Sequence, residues 1–137
     1  MNDLEIFIDG ASKGNPGHSG IGIVIKRDGV ILKSIGLYIG LGTNNAAEYT
    51  ALIQALQEAL LLKVQTVQIF SDSQLLCRQM DLSYKVRHEN ILRLYEQARH
   101  LMSGFSKVTI THIGRELNTE ADHLATKAVK EALAKKK

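Results

Sequence analysis

The 137-residue sequence predicts an α/β fold on one five-stranded mixed sheet, three antiparallel strands then two parallel, flanked by helices. Three observations lead there. Up to Ile39 the chain carries apolar segments rich in Ile, Val and Phe, divided by turn residues. From Asn45 the apolar spacing changes to a helical period. Two short apolar strands then alternate with helical segments, and such crossovers favour parallel pairing. The predicted order is βββαβααβα.

Leu4 to Asp9 alternates at its start and meets Gly10, which predicts a strand ending at Asp9. Gly10 to Gly20 reads as a turn, because it holds Gly14, Asn15, Pro16 and Gly17. Ile21–Ile25 and Val30–Ile39 flank Asp28-Gly29, a strong hairpin signal. Leu52, Ala55, Leu56, Ala59 and Leu60 line one side of a helix predicted from Asn45 to Leu62. Val67-Gln68-Ile69-Phe70 is a short buried-type strand running into Ser71-Asp72-Ser73. A helical segment follows from about Ser73 to Met80, and a longer one from Glu89 to Met102, which Ser103-Gly104 stops. Val108 to His112 alternates as the last strand, and Asn118 to Ala134 is the last helix. In open sheets of this kind, ligands sit beyond the carboxyl ends of the parallel strands.

Apolar residues make up 45% and charged residues 23%, a globular mix. A single domain over 1–137 is expected, with 134–137 as a disordered lysine tail. One cysteine, Cys77, excludes an internal disulfide framework and a multi-thiolate zinc site. No stretch approaches the roughly 18 apolar residues of a membrane span. The start, Met1-Asn2-Asp3-Leu4-Glu5, is acidic with no apolar run behind it, so no secretory signal is expected. The expectation is a cytoplasmic protein with no membrane association and no obligate protein partner, by default a monomer. Seventeen basic against 14 acidic residues give a net charge of +3. Arg78, Lys85, Arg87, Arg93, Arg99 and Lys107 crowd one region, which suits either phosphate binding or a solvated helix face.

Four carboxylates stand at element boundaries. Asp9 and Asp72 follow two strands, and parallel pairing would bring them to one sheet edge. Glu48 and Asp122 fall in the first turns of two helices. Each has another reading. Asn45 and Glu48, like Thr119 and Asp122, have capping-box spacing. Asp72 can cap the helix it precedes, and Asp9 can form an Asx turn. Taken together, four bare acids on one edge would repel, and at least one would be pushed toward protonation. Clustered carboxylate oxygens suit Mg²⁺ or Mn²⁺. Two such ions about 3.5–4 Å apart can clamp a phosphodiester for in-line displacement.

The blocks Asp9-Gly10-Ala11-Ser12 with Gly14-Asn15-Pro16-Gly17, Thr43-Asn44-Asn45-Ala46-Ala47-Glu48-Tyr49, Ser71-Asp72-Ser73-Gln74 and Asn118-Thr119-Glu120-Ala121-Asp122-His123-Leu124-Ala125 resemble type 1 ribonuclease H. The resemblance runs from about residue 3 to residue 130, in the family's order. It implies the ribonuclease H-like fold and metal-dependent cutting of the RNA strand of an RNA–DNA hybrid, leaving 5′-phosphate and 3′-hydroxyl ends. It implies Asp9, Glu48, Asp72 and Asp122 as catalytic metal ligands for two Mg²⁺ ions, with Mn²⁺ as a substitute. Asp9 would bridge the ions, Glu48 would also lie near the RNA, and Asp122 would complete the second site.

Cutting only RNA requires sensing of the 2′-hydroxyl, which donates and accepts in the minor groove. The resemblance implies hybrid contacts from Asn15, Asn44, Asn45, Ser73 and Gln74, and from the chain at Gly10, Ala11 and Ser12. Amide side chains suit that task. Turn formation at Asn15 and helix capping at Asn44 or Asn45 are the structural alternatives. Thr43 matches a position that holds a phosphate of the DNA strand. The family also has a mobile loop residue, often His, near the leaving product. His112 has the family spacing to Asp122 but continues a strand face, so Arg115, in the loop itself, is favoured for that role. Arginine neutralises phosphate but does not titrate near neutrality.

Many relatives carry a Trp-bearing, lysine-rich protrusion that grips the DNA strand. This sequence has no Trp, and Ser83-Tyr84-Lys85-Val86-Arg87 is too short for one. No N-terminal hybrid-binding module is expected before residue 4. Weaker hybrid binding with steep salt dependence follows, with Lys85, Arg87 and the lysine tail as substitutes. A non-catalytic hybrid-binding module on the same fold is the rival reading.

Overall fold

The computed structural model describes residues 4–135. The elements are β1 (Leu4–Gly14), β2 (Gly17–Arg27), β3 (Val30–Gly42), α1 (Asn44–Leu61), β4 (Thr66–Ser71), α2 (Gln74–Met80), α3 (Glu89–Met102), β5 (Lys107–His112) and α4 (Thr119–Ala134). A 3-10 turn at Arg115–Leu117, which the sequence did not signal, precedes α4. The sheet order is β3-β2-β1-β4-β5. β1, β2 and β3 pair antiparallel, and β4 and β5 join β1 in parallel, as expected. Among the described residues no helix is long and apolar enough to cross a membrane. Ala134 ends α4 and Lys135 is its C-cap, while Lys136 and Lys137 of the expected tail lie outside the described residues.

The first strand does not stop at Asp9, and Gly10 to Gly20 is not a turn. β1 and β2 stay paired from Glu5↔Lys26 to Gly14↔Gly17, and only Asn15 and Pro16 link them. Glycine reads as a turn former because it packs poorly in strands. Here it is present because helices press on both faces. A Cβ on Gly10 would strike the backbone of Ala47 and Glu48 in α1. On the other face, a Cβ on Gly22 would strike the carbonyl of Ala121, one on Gly20 would lie 2.5 Å from that of Ala125, and one on Gly36 2.9 Å from that of Leu124. These glycines seat α4 directly on β2 and β3. The Asp28-Gly29 hairpin is as expected, with φ of 51° and 78°.

The faces follow from strand alternation. Leu4, Ile6 and Ile8 of β1 and Ile21, Ile23 and Ile25 of β2 are buried with Leu52, Ala55, Leu56 and Ala59 of α1. Phe7 faces the other way and stacks on Phe70 at 4.9 Å. Tyr49 of α1 is fully buried and its hydroxyl donates to Gln79 Oε1 of α2 at 2.8 Å, fixing α2 against α1. Arg99 of α3 donates to the Met80 carbonyl at the end of α2. The short helix after β4 is therefore held from two sides.

Candidate active site

The β1–β4 ladder ends at Ile8↔Ser71. Asp9 and Asp72 are each the next residue, at the point where β1 loses β4 as a partner while staying paired with β2, and the chain leaves β4 for α2. Asp9, Glu48 and Asp72 offer carboxylate oxygens that all lie within 4.8 Å of one another. Asp122 stands near enough to Asp9 to help push its carboxyl up. All four line one cavity of about 510 Å³.

The capping alternatives do not describe these acids. The N-cap of α1 is Thr43, whose hydroxyl accepts from Ala46 N at 3.1 Å. Glu48 therefore stands beyond the cap, and its Oε1 accepts from Gly10 N across to β1. The N-cap of α2 is Ser73, which accepts from Leu76 N, not Asp72. Asn118 stands at the N-cap of α4 without a side-chain capping bond, and Asp122 makes none. Asp9 sits inside a paired strand and not in an Asx turn. Asn44 and Asn45 are not the α1 cap either.

Asp9 and Glu48 are 5% and 6% exposed, very low for carboxyl groups. Burial, then the charge of Glu48, then that of Asp72, push the Asp9 carboxyl up to about 10. Burial pushes Glu48 up to about 7, against the bonds it accepts from Asp9 and Gly10 N. Without a cation the pair thus keeps a proton, with Asp9 donating to Glu48. Ser71 Oγ, 3.5 Å from Glu48 Oε2, donates to the same carboxylate. A buried, proton-holding set of hard oxygen donors fits a divalent cation, which would replace the proton.

The expected result is a metal-free stability that falls as pH rises. Both folded-state values lie above the unfolded ones, so the native state holds more protons between about pH 5 and pH 8. One extra proton corresponds to a loss of about 1.4 kcal/mol per pH unit. Thermal melts in EDTA across that range read it directly, and a flat profile would contradict the shared proton.

Most of the expected substrate residues also line the cavity: Gly10, Ala11, Ser12, Asn15, Asn44, Asn45 and Ser73. Asn15 Oδ1 accepts from Asn44 N at 3.0 Å, and Asn44 Oδ1 accepts from Ser12 N at 3.1 Å. The two amides thereby lock the β1–β2 turn to the start of α1 through their oxygens, leaving their NH₂ groups free to donate. Thr43 and Gln74 stand just outside the lining, at the start of α1 and of α2. Arg115 lines the cavity. His112 does not, and it ends β5 in register with Ser71.

Three contributors had no role assigned from sequence. Leu75 lines the cavity from α2, and an exposed leucine one position past a motif carries no signal. Ser71 accepts from Ser73 N as well as reaching Glu48, and both serines stood in the motif block. Asn118, 2% exposed, donates from Nδ2 to the Ile8 carbonyl at 2.8 Å, tying the start of α4 to the strand beside Asp9. Its place four residues before Asp122 was the available signal. The one cysteine, Cys77, is buried, and burial pushes its thiol up to about 11, leaving it unreactive.

Residues 7–128 match the family model described as reverse transcriptase-like. Ribonuclease HI of Halobacterium salinarum is 39% identical over 130 residues, which cover 94% of this chain and 65% of that protein. The bifunctional protein Rv2228c of Mycobacterium tuberculosis is 39% identical over 126 residues, 90% of this chain and 35% of its own length. This chain thus spans less than two thirds of either relative. The solved N-terminal RNase H domain of Rv2228c superposes with a TM-score of 0.94 at 36% identity, covering 100% of both chains. LC11-RNase H1 in complex with an RNA/DNA hybrid superposes at 0.91 with 36% identity, covering 96% of this chain and 99% of that one.

Proposed function

Because the chain belongs to the ribonuclease H family, we propose that it hydrolyses the RNA strand of RNA–DNA hybrids to 5′-phosphate and 3′-hydroxyl ends, using two divalent cations. The observation that carries this is the meeting of Asp9, Glu48 and Asp72 within 4.8 Å, in a cavity that also holds Asp122 and the amides of Asn15 and Asn44. The cations are Mg²⁺, with Mn²⁺ able to replace it. Asp9, Glu48, Asp72 and Asp122 hold them. Bound there, they supply Lewis-acid polarisation of the phosphate and acidification of water.

The chain's own groups do the rest. Glu48 is oriented by Gly10 N and Ser71, so it meets cation and RNA without searching rotamers. The amide donors of Asn15 and Asn44 read the minor-groove hydroxyls, with Ser12, Ser73 and Gln74 beside them. Thr43 holds a phosphate of the DNA strand, and Arg115 offsets charge on the departing product. His112 is second for that loop role. The active unit in this proposal is a cytoplasmic monomer.

A panel of end-labelled RNA–DNA hybrid, RNA duplex and DNA duplex tests the proposal, each with Mg²⁺, Mn²⁺ or EDTA. Metal-dependent cutting of the hybrid's RNA alone is expected. Hybrid bound but uncut in every metal would identify a binding module instead.

A further inference from the structure

A second groove, of about 300 Å³, adjoins the acid cavity and is lined by Ala11, Ser12, Lys13, Thr126, Val129 and Lys130. Ala11 and Ser12 line both, so the two form one continuous surface. None of the groove's lining residues is acidic. Lys26, Lys33 and Lys127 are paired with Glu120, Glu58 and Glu131. Among the described residues, Lys13 and Lys130 take part in no ion pair, and both are exposed.

On α4, Asp122, Thr126 and Lys130 recur every fourth residue and so follow one another along the same side. From Asp122 to Lys130 the helix advances about 12 Å, close to the rise of three to four nucleotides in one strand. Lys13 stands on the facing strand, in cross-strand register with His18. Ala11 and Val129 are the apolar part of the lining, which a sugar can pass over. A polyanion leaving the acid cavity over Ala11 and Ser12 meets a positive charge on each bank.

From this we infer that the groove is a phosphate subsite for the strand being cut, in which Lys13 and Lys130 each neutralise one backbone phosphate near the scissile bond. The inference rests on the hybrid-cutting reading and extends it to a second place on the molecule.

The test is equilibrium binding of hybrid in the cleavage-blocked Asp72→Asn protein, with and without Lys13→Ala/Lys130→Ala, between about 50 and 200 mM salt. Removing two phosphate contacts lowers the slope of log K against log salt by about 1.4–1.8 and weakens low-salt binding about tenfold. Lys13→Arg/Lys130→Arg restores both. Shortening the RNA strand from one end, and not from the other, abolishes the difference between the proteins. Lys33→Ala, whose ammonium is already paired with Glu58, leaves the slope unchanged. An unchanged slope in the double variant overturns the subsite while leaving the hybrid reading intact. A deficit that survives shortening from both ends overturns it too, as a general charge effect. Absence of both hybrid binding and cutting in the unaltered protein overturns the functional reading, and the subsite falls with it.

Discussion

Asp9→Asn raises the melting temperature of the metal-free protein by roughly 5 °C, on the order of 1–2 kcal/mol for a domain of this size, and abolishes activity. The gain comes from the proton that Asp9 must take up on folding near neutral pH, since burial and two neighbouring carboxylates push its carboxyl up to about 10. Asparagine needs no proton, and its NH₂ donates to Glu48 as the protonated acid does. The pH dependence of stability flattens at the same time. Mg²⁺ at about 100 times its Kd stabilises the unaltered protein by about 2.7 kcal/mol, and the variant loses most of that increment. Hybrid cleavage falls by at least about 10²–10³-fold, the scale on which removing one preorganised electrostatic group acts. Melts with EDTA and with Mg²⁺ check all but the last point. An unchanged melt in both would contradict a clustered cation site.

Gly22→Ala is the most damaging single methyl that can be added near the site. Its Cβ would enter the carbonyl of Ala121, so backbone and not a flexible side chain must yield. Overpacking of this kind costs about 3 kcal/mol, equivalent to a fall of about 10 °C in melting temperature. The more informative effect is on cleavage. Ala121 adjoins Asp122, so α4 cannot retreat from β2 without withdrawing that carboxylate from Asp9. Displacement of a reacting group by about 1 Å costs about 10²-fold in rate. Gly29→Ala is the comparison, because a Cβ at Gly29 meets nothing within 4 Å and its φ of 78° imposes only local strain. Its melt falls less and its cleavage at low temperature is preserved.

The contrast between Gly22 and Gly29 also explains what could be read from the sequence. Gly29 announces itself beside Asp28 as a hairpin, because local backbone chemistry alone requires it. Gly10, Gly20 and Gly22 are required by helices that come from residues 47, 125 and 121. Local composition therefore signals a turn where two long strands run. The helices were legible from apolar spacing, but Thr43, rather than Asn45, caps α1. That shift matters for Glu48, which capping-box spacing made ambiguous and which the observed cap frees for the site. The four acids were legible as a set because like charges need a reason to converge. The supports were not. Ser71, Asn118 and Leu75 act through contacts 2 to 110 residues away in the chain, and their residue types are ordinary for a strand end, a helix start and a helix face. Arg115 and His112 were separable only in part, and the 3-10 turn that carries Arg115 into the cavity had no periodic signal.

In the proposed function these carboxylates hold the cations with which the chain cuts RNA paired to DNA. The most direct test is a side-by-side assay of the unaltered protein and Asp72→Asn on end-labelled hybrid, with Mg²⁺ and with EDTA. Asp72 is only half-buried and caps nothing, so the variant keeps its fold. Mg²⁺-dependent cutting of the RNA strand by the unaltered protein is expected, lost in Asp72→Asn while hybrid binding persists. Equal cutting by both proteins, or by neither, would contradict the proposed function.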